Sequence, residues 1–178
     1  MSNICDESIP LYAENYCEIN KNAAIGAMAV IKRKQTTITD YTDTAQWEAA
    51  IANGDARIVK GIKVDIPDGS PRPVDNPRTC GSPTIQVGVD YTATITDANV
   101  NAENDEFWKG VNGKTFDVAF FYCDEDEIRL ITKGNISARL PQSVGNADEL
   151  QYYNVTISFR KSNSDFGELL DAPAGIFE

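Results

Sequence analysis

The densest group of residues that could do chemistry is a run of four carboxylates at residues 124–127, Asp-Glu-Asp-Glu. Ca²⁺ and Mg²⁺ prefer several oxygen ligands, which makes this run a candidate cation site. However, consecutive residues at a strand end point in alternating directions, and the EF-hand spacing with its central glycine is absent. A solvated acidic turn between two strands is the favoured interpretation. We therefore predict neither a metal ion nor any other cofactor.

Nucleophilic and general-base chemistry has few candidates, because the chain contains no histidine. This excludes Ser-His-Asp and Cys-His arrangements as well as His-ligated zinc. The spacings of a phosphate-binding glycine loop and of the G-x-S-x-G turn are also absent. Cys80 lies close to Arg78, and a neighbouring cation can activate a thiol, but an inert loop thiol is the more frequent case. We therefore predict no catalytic residue and a protein that is not an enzyme.

Scattered carboxylates leave one enzymatic alternative, a hydrolase that uses one carboxyl group as acid and a second as base. The candidates for such a pair are Asp65, Asp75, Asp90 and Asp97. The sequence does not indicate which of them meet in space, so this alternative ranks last.

The charge balance argues against a function in binding nucleic acid or anionic membranes. The 178 residues contain 16 Lys and Arg against 27 Asp and Glu, a net charge of −11. Such a chain has no general attraction to nucleic acid or to anionic lipid. The longest apolar run, residues 23–31, is much shorter than the ~20 residues of a membrane helix. The acidic start resembles no export signal and no C-x-x-C pair occurs, so we expect one cytoplasmically made domain with free thiols and no membrane partner.

Alternation of apolar and polar residues is the strongest structural signal, and it predicts strands with one buried and one wet face. The alternating sets are Ile58, Ile62, Val64 and Ile66; Ile85, Val87, Val89, Tyr91, Ala93 and Ile95; Phe116, Val118, Phe120 and Tyr122; Ile128 and Leu130; Ile136, Ala138 and Leu140; and Tyr153, Val155, Ile157 and Phe159. The fourth and fifth sets are separated by a predicted break at residues 133–135. Residues 23–31 are apolar on both parities, which indicates a strand covered on both faces or one at a subunit contact.

Two segments carry helix signals instead. Asp43 can cap a helix over residues 43–53, Trp47 then lies on its apolar face, and Gly54 follows its end. A shorter helix over about 99–110 has an acidic start, which suits the positive end of the helix dipole. The fold class predicted is mainly β: an antiparallel β-sandwich or barrel with one flanking helix and a short second helix. Within it, Trp47 is expected to pack on the face that carries Ile62, Val64, Val87 and Val89, in one core with Phe116, Val118, Phe120, Val155 and Ile157.

A proline-rich stretch, residues 67–83, interrupts the strands and contains five of the eight prolines. Proline lacks the amide donor, so we predict a long loop that stays outside the sheet interior. With residues 1–22 and 161–178 as terminal arms, a single β-rich domain is expected over residues 23–160. The loop and the C-terminal arm are predicted to bury surface against neighbouring copies. The interface residues proposed for this are Arg72, Arg78, Ile176 and Phe177.

The order of these segments resembles small structural proteins of tailed bacteriophages, especially tail-tube, neck and ring subunits. The resemblance lies in the irregular N-terminal arm, the Trp47 helix, the proline-rich loop before the strand over residues 85–95, the Phe107-Trp108 helix and the apolar tail. It implies a β-sandwich or barrel that assembles with itself into rings, often hexameric, and carries over no individual functional residue.

By that resemblance the chain is a virion subunit, assembled in the host cytoplasm, in a tail or neck ring that contacts adjacent virion proteins. An acidic lumen would let DNA pass without specific binding. The alternative is a non-enzymatic extracellular binding module, such as a carbohydrate-binding or adhesin-like β-sandwich.

Overall fold

The computed structural model describes residues 24–75, 84–123, 127–139, 151–161 and 167–175. Within these ranges the chain forms nine strands and two helices. In chain order they are β1 (Ile25–Ile31), α1 (Thr44–Asn53), β2 (Ala56–Lys60), β3 (Ile62–Asp65), β4 (Ser70–Asp75), β5 (Thr84–Asp97), α2 (Ala102–Val111), β6 (Thr115–Tyr122), β7 (Glu127–Arg139), β8 (Tyr153–Lys161) and β9 (Glu168–Asp171).

All nine strands belong to one antiparallel sheet, which confirms the predicted mainly-β class. The main order is β2-β1-β6-β7-β8-β5-β3, with β4 added to β5 and β9 added to β7. β2 and β3 lie at opposite ends of this order although only Gly61 separates them in the chain. Gly61 has a φ of +71°, a conformation that glycine adopts without strain. The chain thus leaves one end of the sheet and enters the other, and the sheet is not closed into a barrel.

Two apolar cores form, one on each face of the sheet. The inner core collects side chains from β1, β3, β5, β6, β7, β8 and α2, whereas the outer core lies between the sheet and α1. β1 contributes to both, since Met28 and Val30 face the inner core while Ala27, Ala29 and Ile31 face the outer one. The run that is apolar on both parities is therefore a strand covered on both faces within its own chain.

The expected packing of Trp47 is wrong in its partners, although the side chain is fully buried. Trp47 lies in the outer core, where its ring meets Phe121 edge-on at 5.7 Å. The tryptophan that lies in the inner core is Trp108. Val87, also expected in that core, is 49% exposed. The inner core does contain Ile62, Val118, Phe120, Val155 and Ile157, with Val64 and Phe116 packed against it. Val89 is buried but belongs to neither core.

Local signals at α1 are confirmed. Asp43 is the N-cap, and its carboxylate accepts a hydrogen bond of 2.9 Å from the Ala45 amide. Gly54 closes the helix with a φ of +79°, which is the usual role of a glycine after a helix. The indole of Trp47 donates to the Tyr41 carbonyl at 2.8 Å, so the preceding turn is fastened to the buried face of the helix.

The second helix begins at Ala102, slightly later than expected, because Asn101 is its N-cap. The Tyr153 hydroxyl donates to the Asn101 carbonyl at 3.2 Å and joins the start of α2 to β8. Burial raises the pKa of this phenol above its ordinary value. Trp108 and Val111 then bury one side of α2 in the inner core.

The break expected at residues 133–135 is a bulge within the continuous strand β7. The register against β6 shifts between Phe116 and Val118, and Lys133 adopts a φ of +62°. The Asp117 carboxylate accepts the Lys133 amide at 2.9 Å, which satisfies the backbone group at the irregularity. β7 pairs with β6 on both sides of the bulge, while its first residues also pair with β9 and its last residues with β8.

Candidate assembly surface

A two-stranded hairpin extends the sheet at the position predicted to be a loop. Residues 70–75 form β4 and pair with residues 84–90 of β5, so this part of the loop prediction is wrong. Residues 76–83 lie outside the described residues. β8 accompanies β5 only as far as Val89, which pairs with Lys161. Residues 84–88 therefore pair with β4 alone among the described strands, and we call residues 70–75 and 84–88 the hairpin arm.

The prolines explain why β4 is an edge strand. Pro71 and Pro73 stand two residues apart, so their ring nitrogens face the same edge of the strand. A proline in a sheet is tolerated where that edge faces solvent, which places β4 at the rim of the sheet. The expectation that this stretch stays outside the sheet interior is thus confirmed for β4.

Gly69 fixes the base of the hairpin arm. A Cβ atom at this position would collide with the side chains of Val89 and Tyr91. The absence of a side chain lets the chain cross close over these two residues before β4 begins. Tyr91 stacks on Phe159 of the inner core at a centroid distance of 5.2 Å. The base of the arm at Gly69 therefore lies against a side chain that packs on the inner core.

Much of the arm is exposed, although Gly88 at its base is buried. All six residues of β4 are exposed, and Val74 and Val87 have exposed fractions of 47% and 49%. Val87 lies at a register shift where β5 has one more residue than β4, and such bulges increase the twist of a ribbon. An isolated two-stranded ribbon is only marginally stable in water.

Charged side chains line the outer face at the base of the arm. Arg160 donates a hydrogen bond of 2.6 Å from its Nε atom to Asp90, which lies opposite it on β5. This bond, with further attraction from Arg160 and from Arg72, holds the pKa of the Asp90 carboxyl below its ordinary value. Arg72, proposed as an interface residue, therefore lies on the hairpin arm and within reach of its own chain's Asp90. A shallow basin of about 380 Å³ with Lys133 on its rim adjoins this pair.

The described residues of the C-terminal arm pack on their own domain, and their burial against neighbouring copies stays a prediction. β9 pairs with the first residues of β7, and Pro173 is buried. The Thr44 hydroxyl donates to the Ala174 carbonyl at 2.9 Å and fastens the tail to the start of α1. The remaining proposed interface residues, Arg78, Ile176 and Phe177, lie outside the described residues.

The carboxylates considered as a catalytic pair are not brought together. Asp90 and Asp97 lie on the same strand, seven residues or roughly 23 Å apart. Asp65 is paired with Thr94 between them, and Asp75 lies at the far end of β4. In the acidic run, residues 124–126 lie outside the described residues, and the part of the chain that the structure describes contains no cluster of metal-ligating side chains.

A cleft that sequence reasoning missed lies between β2 and α2. It has a volume of about 360 Å³ and is walled by four consecutive β2 residues, 57–60, and by one face of α2. The α2 wall consists of Glu103, Asn104, Phe107 and Trp108, while Asp97 and Asn99 form the floor. We call it the β2–α2 cleft. No local pattern indicates it, since its two walls are brought together only by the return of β5 to β3.

Comparison with known proteins finds that the sequence matches no protein-family model and no curated protein. Among the described residues, no helix combines the length and apolar character needed to cross a membrane.

Proposed function

We propose that this chain is a structural subunit of a tailed-phage virion, which assembles with itself into a ring in the tail or neck. Six copies are the expected number, and the ring would contribute to a DNA conduit beside adjacent virion proteins. The resemblance in layout supports this assignment, and the hairpin arm is the observation on which it mainly depends.

The arm supports assembly for an energetic reason. Its six β4 residues are exposed, so they contribute little to the core of their own domain. Val74 and Val87 nonetheless present apolar surface to solvent. Because each is about half exposed, burying the remainder would contribute roughly half of the 1.5–3 kcal/mol that full burial of such a side chain contributes. Docked on a second subunit, the arm would bury both and gain the support that a free ribbon lacks.

The electrostatic character of the chain also suits a conduit. With a net charge of −11, the assembled wall would repel rather than bind phosphates, so DNA would slide without being held. Arg72 adds a positive group to the exposed arm, where it can approach carboxylates of an acidic neighbour. Exposed ion pairs contribute little singly, so apolar contact must supply most of the association energy.

Assembly is tested by multi-angle light scattering over a wide range of protein concentration, together with negative-stain electron microscopy. We expect closed rings or stacked rings, and no retardation of double-stranded DNA in a gel-shift assay at physiological salt. A strict monomer at every concentration, with no rings on micrographs, would overturn the proposal. Rings that bind DNA tightly would overturn the conduit part of it.

A further inference from the structure

The hairpin arm has an open backbone edge on its β5 side, opposite the edge that the β4 prolines face. The direction of those prolines shows which β5 groups lie on the open edge. Pro73 turns its nitrogen toward the solvent side of β4, and its register partner on β5 is Gln86. Two residues that lie opposite each other in an antiparallel ladder either exchange both backbone hydrogen bonds or exchange none. When the backbone groups of one residue point away from the ladder, those of its partner therefore also point away. The amide and carbonyl of Gln86 therefore point to the side where β8 would continue, and no described strand lies there.

β2 has a corresponding open edge in the β2–α2 cleft. Hydrogen bonds join the Lys32 amide to the Asp55 carbonyl at 2.8 Å and the Gly61 amide to the Gly26 carbonyl at 3.1 Å. These bonds fix the alternation of the β1–β2 ladder, so Ile58 directs its amide and carbonyl away from β1. Neither group is bonded to another described residue.

We infer that the hairpin arm of one copy adds to β2 of the next copy as an extra antiparallel strand, within the β2–α2 cleft. The inference rests on the proposed function, because it names the two surfaces that would join in the ring. The stretch available on the arm, residues 84–88, is as long as β2, which has five residues. Centred on Gln86 and Ile58, such a pairing would satisfy the open amide and carbonyl of both residues.

The surroundings of both edges favour a second copy as the occupant. Arg72 is beside Gly88 in the register of the arm, while the opposite wall of the cleft offers the exposed carboxylate of Glu103. The partly buried ring of Phe107 in the same wall provides apolar surface for an arm valine. The outer edge of β4, by contrast, is blocked for strand addition by its two prolines.

This pairing is head-to-tail, since the surface that inserts differs from the surface that receives. Repeated contacts of that kind produce a closed ring when the rotation between copies closes, and a filament when it does not. A symmetric pairing of two hairpin arms would instead stop at a dimer. The arm-in-cleft arrangement and the symmetric arm-to-arm arrangement can therefore be distinguished with variants that block either the arm or the cleft.

The experiment uses one variant that blocks the arm and two that block the cleft. Gln86→Pro removes the outward amide of the arm without removing a bond to β4, and Gln86→Ala is its matched control. Ile58→Pro removes the outward amide of β2, with Ile58→Val as its control. Because Ile58 also packs against the outer core, Glu103→Trp, which places a large ring at the exposed wall of the cleft, serves as a second block. Circular dichroism and thermal melting check that each variant folds.

We expect Gln86→Pro alone and Glu103→Trp alone to be monomeric at concentrations where the intact chain and both controls form rings. Mixed together they retain one arm and one cleft, so they should form a 1:1 heterodimer by native mass spectrometry and no ring. Rings from Gln86→Pro, or rings from both folded cleft variants, would overturn the inference while leaving assembly intact. Homodimers of the Glu103→Trp variant would indicate symmetric arm pairing. An intact chain that never assembles would instead overturn the proposed function itself.

Discussion

The indole nitrogen of Trp108 donates a hydrogen bond of 2.9 Å to the carboxylate of Asp97, and both side chains are buried. The other carboxylate oxygen of Asp97 accepts the Asn99 amide at 2.9 Å. The last residue of β5 is thereby joined to the turn that follows it and to the middle of α2. The pair holds the helix over the inner core and forms the floor and one wall of the β2–α2 cleft.

Removing the acceptor of this bond should destabilise the protein. Asp97→Ala leaves the Trp108 N–H buried without its partner, which costs about 1–3 kcal/mol. Urea unfolding followed by tryptophan fluorescence measures the change in the free energy of unfolding. Glu103→Ala, an exposed substitution on the same helix, is the comparison and should change stability much less. Equal stability of Asp97→Ala and the unaltered chain would show that the bond does not hold α2.

Trp47→Ala should create a cavity in the outer core and cost about 3–5 kcal/mol. The position of Trp47 also predicts with which residue it is energetically coupled. Its ring contacts Phe121 and not the inner-core residue Ile62. A double-mutant cycle with Phe121→Leu should therefore give a coupling of about 0.5–3 kcal/mol, while a cycle with Ile62→Val should be nearly additive. The reverse result would return Trp47 to the inner core.

Gly69→Ala should displace the hairpin arm, because its methyl group would collide with Val89 and Tyr91. We expect a lower melting temperature and weaker assembly, measured by thermal melting and light scattering. Gly110→Ala is the matched control, since a Cβ atom there meets no atom within 4 Å and the site is helical. That substitution should raise stability by up to about 1 kcal/mol through helix propensity. Indistinguishable effects of the two variants would contradict the close approach at Gly69.

The Asp90–Arg160 pair should give a pH-dependent contribution to stability. The folded pKa of Asp90 is lowered, chiefly by its hydrogen bond from Arg160, so the contribution is fully present above the unfolded value of about 3.9. It is lost as pH falls through the folded pKa. The melting-temperature difference between the unaltered chain and Asp90→Asn should therefore exist at neutral pH and vanish in acid. A difference that persists unchanged in strong acid would contradict the assignment.

Replacing residues 68–80 by a tight turn should leave a folded monomer that no longer assembles. β4 is exposed along its whole length, so the cores do not depend on it. Circular dichroism should show a retained strand signal, and light scattering should show the mass of one chain. A shortened protein that forms the same rings as the intact chain would show that the hairpin arm is not the assembly element.

Local patterns in the sequence were sufficient for the fold class and for most element positions. Alternation identified β8 and the buried parity of Tyr153, Val155, Ile157 and Phe159, because a residue's side of a strand depends only on its position along it. Capping residues placed α1 for the same reason, since Asp43 and Gly54 act on backbone groups within one or two turns. The prolines of residues 67–83 favour a loop, although proline at alternate positions, as in β4, is equally compatible with an edge strand.

Only the tertiary structure decided which apolar faces meet. Trp47 and Trp108 each lie on a short helix, and nothing within either helix indicates which core the tryptophan enters. Their assignment follows from the strand order, which brings β3 to β5 and places α2 over the inner core. The β2–α2 cleft and the open edges at Ile58 and Gln86 have the same origin. They are formed by segments that are distant in the sequence and become neighbours, or lose a neighbour, in the folded sheet. Which segments become neighbours depends on long-range contacts that a local pattern does not encode.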